Sequence, residues 1–137
     1  MRGTTAWYPQ FENELSTFDV TFRHPKSLAV VSGAPRADEG VAGRGVAWER
    51  RSMPIPVSAL TFEIGDFRIF TAQVGHVAVT LALDPFTELQ SEIRPKELLE
   101  LVGSAVGFYE KWLGRYPLDE MTVVTVPRLF SQGAMGM

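Results

Sequence analysis

Residues 95–113, PKELLELVGSAVGFYEKWL, decide the fold class, because their apolar residues repeat with the period of a helix. Pro95 suits the first helical position, where its fixed φ and missing N–H cost nothing. Gly114 follows the last apolar residue and is predicted to end the helix. Apolar residues recur at spacings of three and four, and we predict that they form one buried face: Leu98, Leu99, Val102, Ala105, Val106, Tyr109, Trp112 and Leu113.

Strand patterns lie on both sides of this helix. Before it, alternate residues from Val77 to Leu83 are apolar and large, and the residues between them are mostly small. After it, Met121 to Val126 is apolar on both faces, which is typical of a strand inside a sheet that is covered on both sides. The order strand, helix, strand predicts the opening of a mixed α/β unit.

The first half of the chain is predicted to be β-structure. Polar and apolar residues alternate in residues 17–23, 46–49, 60–64 and 67–74, as they do in half-buried strands. Gly65-Asp66 is predicted to be a hairpin turn. Residues 33–45 are predicted to be an exposed loop, because they contain glycines, a proline and several charges: Gly33, Pro35, Gly40, Gly43 and Gly45 among them.

These patterns together predict an α+β chain. A mostly antiparallel β-sandwich portion is expected first, followed by the strand–helix–strand opening of a mixed α/β domain. We therefore expect residues 1–75 to belong to a partial N-terminal β-sandwich domain. Residues 76–137 are expected to open a second domain.

Composition excludes several classes of function. The chain has 137 residues, no cysteine and a net charge of −3. Disulfides and cysteine-based sites are therefore excluded, and nothing in the charge favours nucleic acid. The basic pair Arg50-Arg51 has Glu49 beside it, and we interpret the pair as a solvated strand face. No apolar run is long enough to span a bilayer, and the first residues lack the apolar core of a signal peptide.

Most catalytic patterns are also missing from the sequence. The two histidines, His24 and His76, are far apart on different predicted strands, and there is no H-E-x-x-H motif. We interpret both as structural or surface residues. Gly43-Arg44-Gly45 opens like a dinucleotide-binding loop, but Trp48 stands at the third glycine position and no helix follows. We predict no catalytic residue, no metal ligand and no cofactor-binding residue in this chain.

The stretch FYEKWLGRYPL at residues 108–118 is similar to the F-Y-E-x-x-F-G-x-Y-P-L stretch of aminopeptidase-N-like zinc metallopeptidases, the gluzincins. Residues 121–127 resemble the apolar strand of that family that ends in V-P or I-P. Gly133-Ala134-Met135 matches the first three letters of its G-A-M-E-N motif. Upstream, FEIGDF at residues 62–67 resembles the F-x-I-G-D-F strand that closes the family's N-terminal domain, and residues 7–9 and 18–21 resemble earlier β-domain segments.

The resemblance implies where this chain belongs in such a protein. Residues 1–75 would be the end of the N-terminal β domain, and residues 76–137 the beginning of the peptidase catalytic domain. In the family, the zinc ligands and the general base lie in H-E-x-x-H and a later glutamate, downstream of G-A-M-E-N. We therefore expect them beyond Met137 in a longer parent protein. Zinc is implied for that parent and not for this chain, and the metal-bound water there would attack a peptide carbonyl.

The G-A-M-E-N match is incomplete, because Gly136 and Met137 stand where the family has glutamate and asparagine. In the family, that glutamate binds the free α-amino group of the substrate, and the backbone before it lies alongside the peptide. The resemblance therefore implies a substrate-binding backbone at Gly133, Ala134 and Met135 that lacks the neighbouring carboxylate.

Two functions remain open at this point. The chain is predicted to supply the cleft wall and the substrate-aligning edge strand of a zinc-metallopeptidase-like parent. The alternative is a non-catalytic binding or scaffold module that kept the fold without the chemistry, since a fold alone does not establish a function. The predicted partners are a peptide substrate in the parent and a second copy of the chain, paired through exposed sheet edges.

Overall fold

The computed structural model of the chain describes residues 14–85 and 94–125. These residues form a β-rich first part and a strand–helix–strand unit, which confirms the predicted α+β class. In chain order, the elements are β1 (Ser16–Pro25), β2 (Ala29–Ser32), β3 (Arg36–Gly43), β4 (Val46–Val57), β5 (Phe62–Gly65), β6 (Arg68–Val74), β7 (Val77–Leu83), α1 (Pro95–Leu113) and β8 (Glu120–Val124).

Two antiparallel sheets enclose the first core. One has the strand order β1-β4-β3, and the other consists of β2 and β5. Apolar side chains from both sheets pack together, and the rings of Phe22 and Phe62 lie 4.7 Å apart between centroids. The buried members of this cluster are Phe22, Val30, Ala34, Met53, Val57 and Leu60.

The second core lies between α1 and a three-stranded sheet with the order β6-β7-β8. Strands β6 and β7 are antiparallel, whereas β7 and β8 are parallel. The parallel pair with a helix between its strands confirms the α/β unit predicted from the sequence. The large alternate residues of β7 lie in one strand, as predicted, and they are buried against the helix: Val77, Val79, Leu81 and Leu83.

Helix α1 begins at Pro95 and ends before Gly114, as predicted, but its buried face is shorter than predicted. Leu99 and Val106 are buried, whereas 76% of Trp112 is exposed. The prediction is thus wrong for Ala105, Tyr109, Trp112 and Leu113, which are exposed. Ala105 lies about 100° around the helix from the buried Val106 and is therefore on the flank of the buried face, whereas Tyr109, Trp112 and Leu113 follow the last buried residue of the helix.

The predicted loop at residues 33–45 contains strand β3, which pairs antiparallel with β4. Glycine commonly indicates a loop, but Gly40 has a packing function inside the strand. A Cβ at Gly40 would lie 2.7 Å from Nε1 of Trp48, so only glycine allows the indole to lie against this strand. The tight turn follows later, where Gly45 adopts a φ of +74°.

The predicted hairpin at Gly65-Asp66 is also wrong. Strand β5 pairs with β2, with Val30 opposite Ile64, and β6 pairs with β7. The two residues therefore connect strands of different sheets, and the hairpin turn lies instead at Gly75-His76, where Gly75 has a φ of +58°. The predicted domain boundary between residues 75 and 76 falls within this turn, and it stays a prediction.

Candidate functional site

The parallel strands β7 and β8 end side by side, at the edge from which the chain continues toward the predicted substrate-binding residues. The backbone N–H of Asp84 donates to Oγ1 of Thr125 at 2.9 Å, and Oγ1 donates to Oδ2 of Asp84 at 3.0 Å. The N–H of Thr125 donates to the carbonyl of Ala82 at 3.0 Å. These bonds extend the parallel pairing past the last residue of β8 and fix the direction of the chain at Thr125.

Gly133, Ala134 and Met135, which we predict to bind substrate, lie outside the described residues, as do Gly136 and Met137. Their role in substrate binding therefore stays a prediction. The structure describes the segments that precede them in the sequence, namely the end of α1, the connection to β8 and β8 itself.

The connection between α1 and β8 contains the stretch that resembles the peptidases. Gly114 ends the helix with a φ of +87°, and its N–H donates to the Glu110 carbonyl at 3.1 Å. The Glu110 carboxylate accepts the backbone N–H of Tyr116 through Oε1 at 2.8 Å. Leu118 is buried. The residues of this motif thus terminate the helix and turn the chain back toward the sheet.

The two histidines lie on separate parts of the fold, and each has a ring nitrogen near a backbone carbonyl. A ring nitrogen of His76, Nε2, lies 3.1 Å from the Tyr116 carbonyl, and its Nδ1 lies 3.8 Å from Oε1 of Glu110. His76 therefore ties the β6–β7 turn to the connection after α1. Nδ1 of His24 lies 3.0 Å from the carbonyl of Pro25. Within residues 14–85 and 94–125, no three metal-binding side chains converge.

The face of the β6-β7-β8 sheet that is turned away from α1 carries a row of hydroxyl groups. Thr71, Thr80 and Thr122 are register partners on adjacent strands. Oγ1 of Thr122 donates to the carbonyl of Ser32 in β2 at 3.3 Å, so β8 is contacted on both faces. In the part of the chain that the structure describes, the hydroxyls of Thr71 and Thr80 make no hydrogen bond.

These hydroxyls line one wall of a crevice of about 580 Å³, and most of the other lining residues belong to β2, β3 and β4. Glu49 and Arg51 stand on the opposite wall. Their side chains are 7% and 12% exposed, and Arg51 donates to Oε1 of Glu49 at 3.0 Å. Arg51 also donates to the carbonyls of Val30 at 2.9 Å and Ala34 at 3.3 Å, so its guanidinium makes four hydrogen bonds to three acceptor oxygens.

The interpretation of Arg50-Arg51 as one solvated face is therefore correct for Arg50 only. Arg50 is exposed and donates to both carboxylate oxygens of Asp19, at 2.7 Å and 2.5 Å. The pKa of Asp19 is lowered from its usual value by this hydrogen bond and by the positive charge of Arg50. Arg51 points to the opposite face. The alternation of residues 49, 51 and 53 contained the signal, because the buried Met53 lies on the same face as Glu49 and Arg51.

Comparison with known proteins leaves the family open, since neither the family models nor the curated proteins that were searched yield a match to this chain. Among the described residues, no helix has the length and apolar character required to cross a membrane.

Proposed function

We propose that this chain is part of an aminopeptidase-N-like zinc peptidase, in which it joins the N-terminal β domain to the catalytic domain. Its role there is to supply one wall of the substrate cleft and the strand that aligns the peptide. Gly133, Ala134 and Met135 would form the backbone of that strand. The substrate of the parent would therefore be a peptide.

The hydrogen bond between Glu110 and Tyr116 is the observation that supports this proposal most. The residues of the peptidase-like stretch are the ones that end α1, turn the chain and lead it into β8. A parallel β7–α1–β8 unit brings the carboxyl ends of two strands to one edge, where ligands commonly bind in α/β sheets. The stretch that resembles G-A-M follows this edge in the sequence.

The described residues do not themselves fit a zinc ion, because no three potential ligands converge among them. His24 and His76 are each placed against a backbone carbonyl, on separate parts of the fold. The proposal therefore assigns no catalytic step to this chain's described side chains. Their part is to position the strand that holds the substrate.

A non-catalytic binding module is the second candidate, and a specific observation favours it. Gly136 and Met137 replace the glutamate and asparagine of the family motif, so the carboxylate that would bind an amino terminus is missing from that position. A diverged protein of this kind would retain the peptide-aligning backbone and lose the chemistry.

The test is to express the longest reading frame that contains this chain and to measure hydrolysis of aminoacyl-coumarin substrates, with and without the zinc chelator phenanthroline. The peptidase proposal requires an H-E-x-x-H sequence downstream and hydrolysis that the chelator abolishes. A reading frame without that sequence, or a folded product without chelator-sensitive hydrolysis, would refute it. If that inactive product binds unlabelled peptides, the binding module is supported instead.

A further inference from the structure

Strand β6 forms one edge of the β6-β7-β8 sheet. It pairs with β7 along its whole length without a bulge, and in the described part of the chain no strand pairs with its other side. Charged residues and proline are the usual means of protecting an edge; the strand has one charged residue, Arg68 at its start, and neither kind from Ile69 to Val74. Such an edge presents backbone N–H and C=O groups to which an extended peptide can add as another strand.

A groove of about 680 Å³ runs between this edge and α1. Its floor is apolar, with Phe70, Ala72 and Val74 from the strand and Leu99 from the helix. The helix lies close at Gly103, where a Cβ would be 3.1 Å from Cγ2 of Val74. A strand added beside β6 would place every second side chain in this groove, because successive side chains of a strand point to opposite faces. The volume lies within the usual range of ligand sites.

The basic side chains at one end of the groove indicate which charge a bound segment should carry there. Arg94 and Lys96 line the groove, and Lys96 lies 4.0 Å from the carboxylate of Glu100. Within the described residues, no ion pair joins the Arg94 guanidinium to a carboxylate, and the Glu97 carboxylate accepts the Arg94 backbone N–H at 3.3 Å. Because α1 connects the parallel strands β7 and β8, it runs antiparallel to β7. Since β6 is also antiparallel to β7, α1 and β6 run in the same direction. Arg94 accordingly lies toward the start of β6.

We propose that the groove between β6 and α1 binds an extended segment of a partner protein, which adds antiparallel to β6 and pairs an acidic side chain near its C-terminal end with Arg94. Alternate apolar side chains of that segment occupy the groove. This site is at the opposite edge of the sheet from β8, so it does not depend on the proposed peptidase function.

Fluorescence anisotropy with three capped, labelled peptides tests the proposal. The first peptide alternates serine and valine and ends in glutamate. The second replaces that glutamate by lysine, and the third carries proline at its centre, which removes a backbone donor. We expect the glutamate peptide to bind below about 1 mM, the lysine peptide to bind at least about tenfold more weakly, and the proline peptide not to bind.

Two protein variants locate the charge. In Arg94→Glu, the preference between the glutamate and lysine peptides should reverse. Lys111→Glu makes the same charge change near the other end of α1, and the preference should stay as in the unchanged protein. If Arg94→Glu does not fold by circular dichroism, Arg94→Gln takes its place, and it should remove the preference without reversing it.

Amide NMR spectra during the titration locate the backbone contact. The amides of Ile69 to Val74 should shift, and those of β8 should not. Absence of binding to the folded protein, equal binding of the proline peptide, or shifts confined to β8 would each refute the proposal. Without peptide, the protection of the β6 amides from hydrogen exchange should not depend on protein concentration. Protection that increases with concentration would also refute the proposal, because a second copy of the chain would then occupy the edge.

Discussion

The carboxylate of Glu110 accepts the backbone N–H of Tyr116, with 2.8 Å between Oε1 and the nitrogen. The bond joins the last turn of α1 to the segment that leads into β8, across the residue where the helix ends. His76 contacts both partners, since its ring lies 3.1 Å from the Tyr116 carbonyl and 3.8 Å from the Glu110 carboxylate. One side chain thus holds the helix end, the β6–β7 turn and the approach to β8 together.

Removing this carboxylate should destabilise the fold. Glu110→Ala leaves the partly buried N–H of Tyr116 without its acceptor, and we expect a loss of about 1–2 kcal/mol in the free energy of unfolding. Urea unfolding followed by circular dichroism measures the change. Glu110→Gln keeps an acceptor oxygen and should cost less than half as much.

Glu100→Ala is the matched control for that prediction. Glu100 lies on the same helix and has an exposed pair with Lys96, so its loss should cost no more than about 0.5 kcal/mol. If Glu100→Ala and Glu110→Ala are equally destabilised, the Glu110–Tyr116 hydrogen bond makes no specific contribution to stability. The structural role that we assign to the peptidase-like stretch would then be wrong.

The two halves of α1 should respond differently to substitution. Val106 is buried between the helix and the sheet, and Val106→Ala should cost about 1–3 kcal/mol through the cavity that it leaves. Trp112 is 76% exposed, so Trp112→Gln should change stability by less than about 0.5 kcal/mol. Urea unfolding of both variants measures the change in the free energy of unfolding. A large loss of stability in Trp112→Gln would show that the buried face is as long as the sequence predicted.

The ion pair between Glu49 and Arg51 should be strongly coupled. Glu49→Leu leaves Arg51 with an uncompensated charge in a nearly buried position, at a cost of about 3–5 kcal/mol. The double variant Glu49→Leu/Arg51→Met removes both charges and should be more stable than Glu49→Leu alone. It should still be less stable than the unchanged protein, because the Val30 and Ala34 carbonyls lose a donor. Additive losses in a double-mutant cycle would contradict the coupling.

The Asp19–Arg50 pair gives a prediction for acid pH. Arg50 lowers the pKa of Asp19 in the folded state, so the pair stabilises the protein above the ordinary aspartate value of about 3.9 and ceases to do so as the pH falls through the lower folded value. In Arg50→Gln, NMR titration should show the pKa of Asp19 rising toward its ordinary value. The stability difference from the unchanged protein should vanish at low pH.

Arg44→Gln is the control for this titration, since it removes an exposed cation from a turn on the same sheet. The pKa of Asp19 should stay low in that variant. An equal rise in both variants would mean that the overall charge of the sheet, and not the bond to Arg50, sets the titration of Asp19.

The features predicted correctly are those in which each residue's local pattern agrees with its packing. The alternation of Val77, Val79, Leu81 and Leu83 follows from one face being buried against α1, and Pro95 and Gly114 mark the helix ends through backbone preferences of their own. Such signals are contained within a few consecutive residues, so the sequence is sufficient to find them.

The features that were missed depend on residues distant in sequence or on the other strand of a pair. Gly40 looks like a loop residue until Trp48, on the neighbouring strand, is placed against it. The alternation of residues 49, 51 and 53 places Arg51 on the buried face, but the acceptors that hold it there are carbonyls of β2 and the segment after it, which are distant in sequence. The exposure of Trp112 depends on which parts of the fold lie beside the end of α1. At the candidate site, the sequence predicted the approach through β8, and the crevice lined by Thr71 and Thr80 required the fold.

The last prediction concerns the specificity of the parent protein under the proposed peptidase function. A free amino terminus is a cation, and a carboxylate that binds it in a partly desolvated cleft contributes about 1.5–3 kcal/mol, or about ten- to a hundredfold in binding. Gly136 offers no side chain at that position, and Met137 offers only a weak thioether acceptor. We therefore expect the parent enzyme to cleave substrates with free and acetylated amino termini at similar kcat/KM. Gly136→Glu should raise kcat/KM for the free substrate by at least about tenfold and leave the acetylated one unchanged, with Gly136→Gln as the uncharged control. An unchanged parent enzyme that already prefers free termini by about a hundredfold would show that another residue supplies the carboxylate.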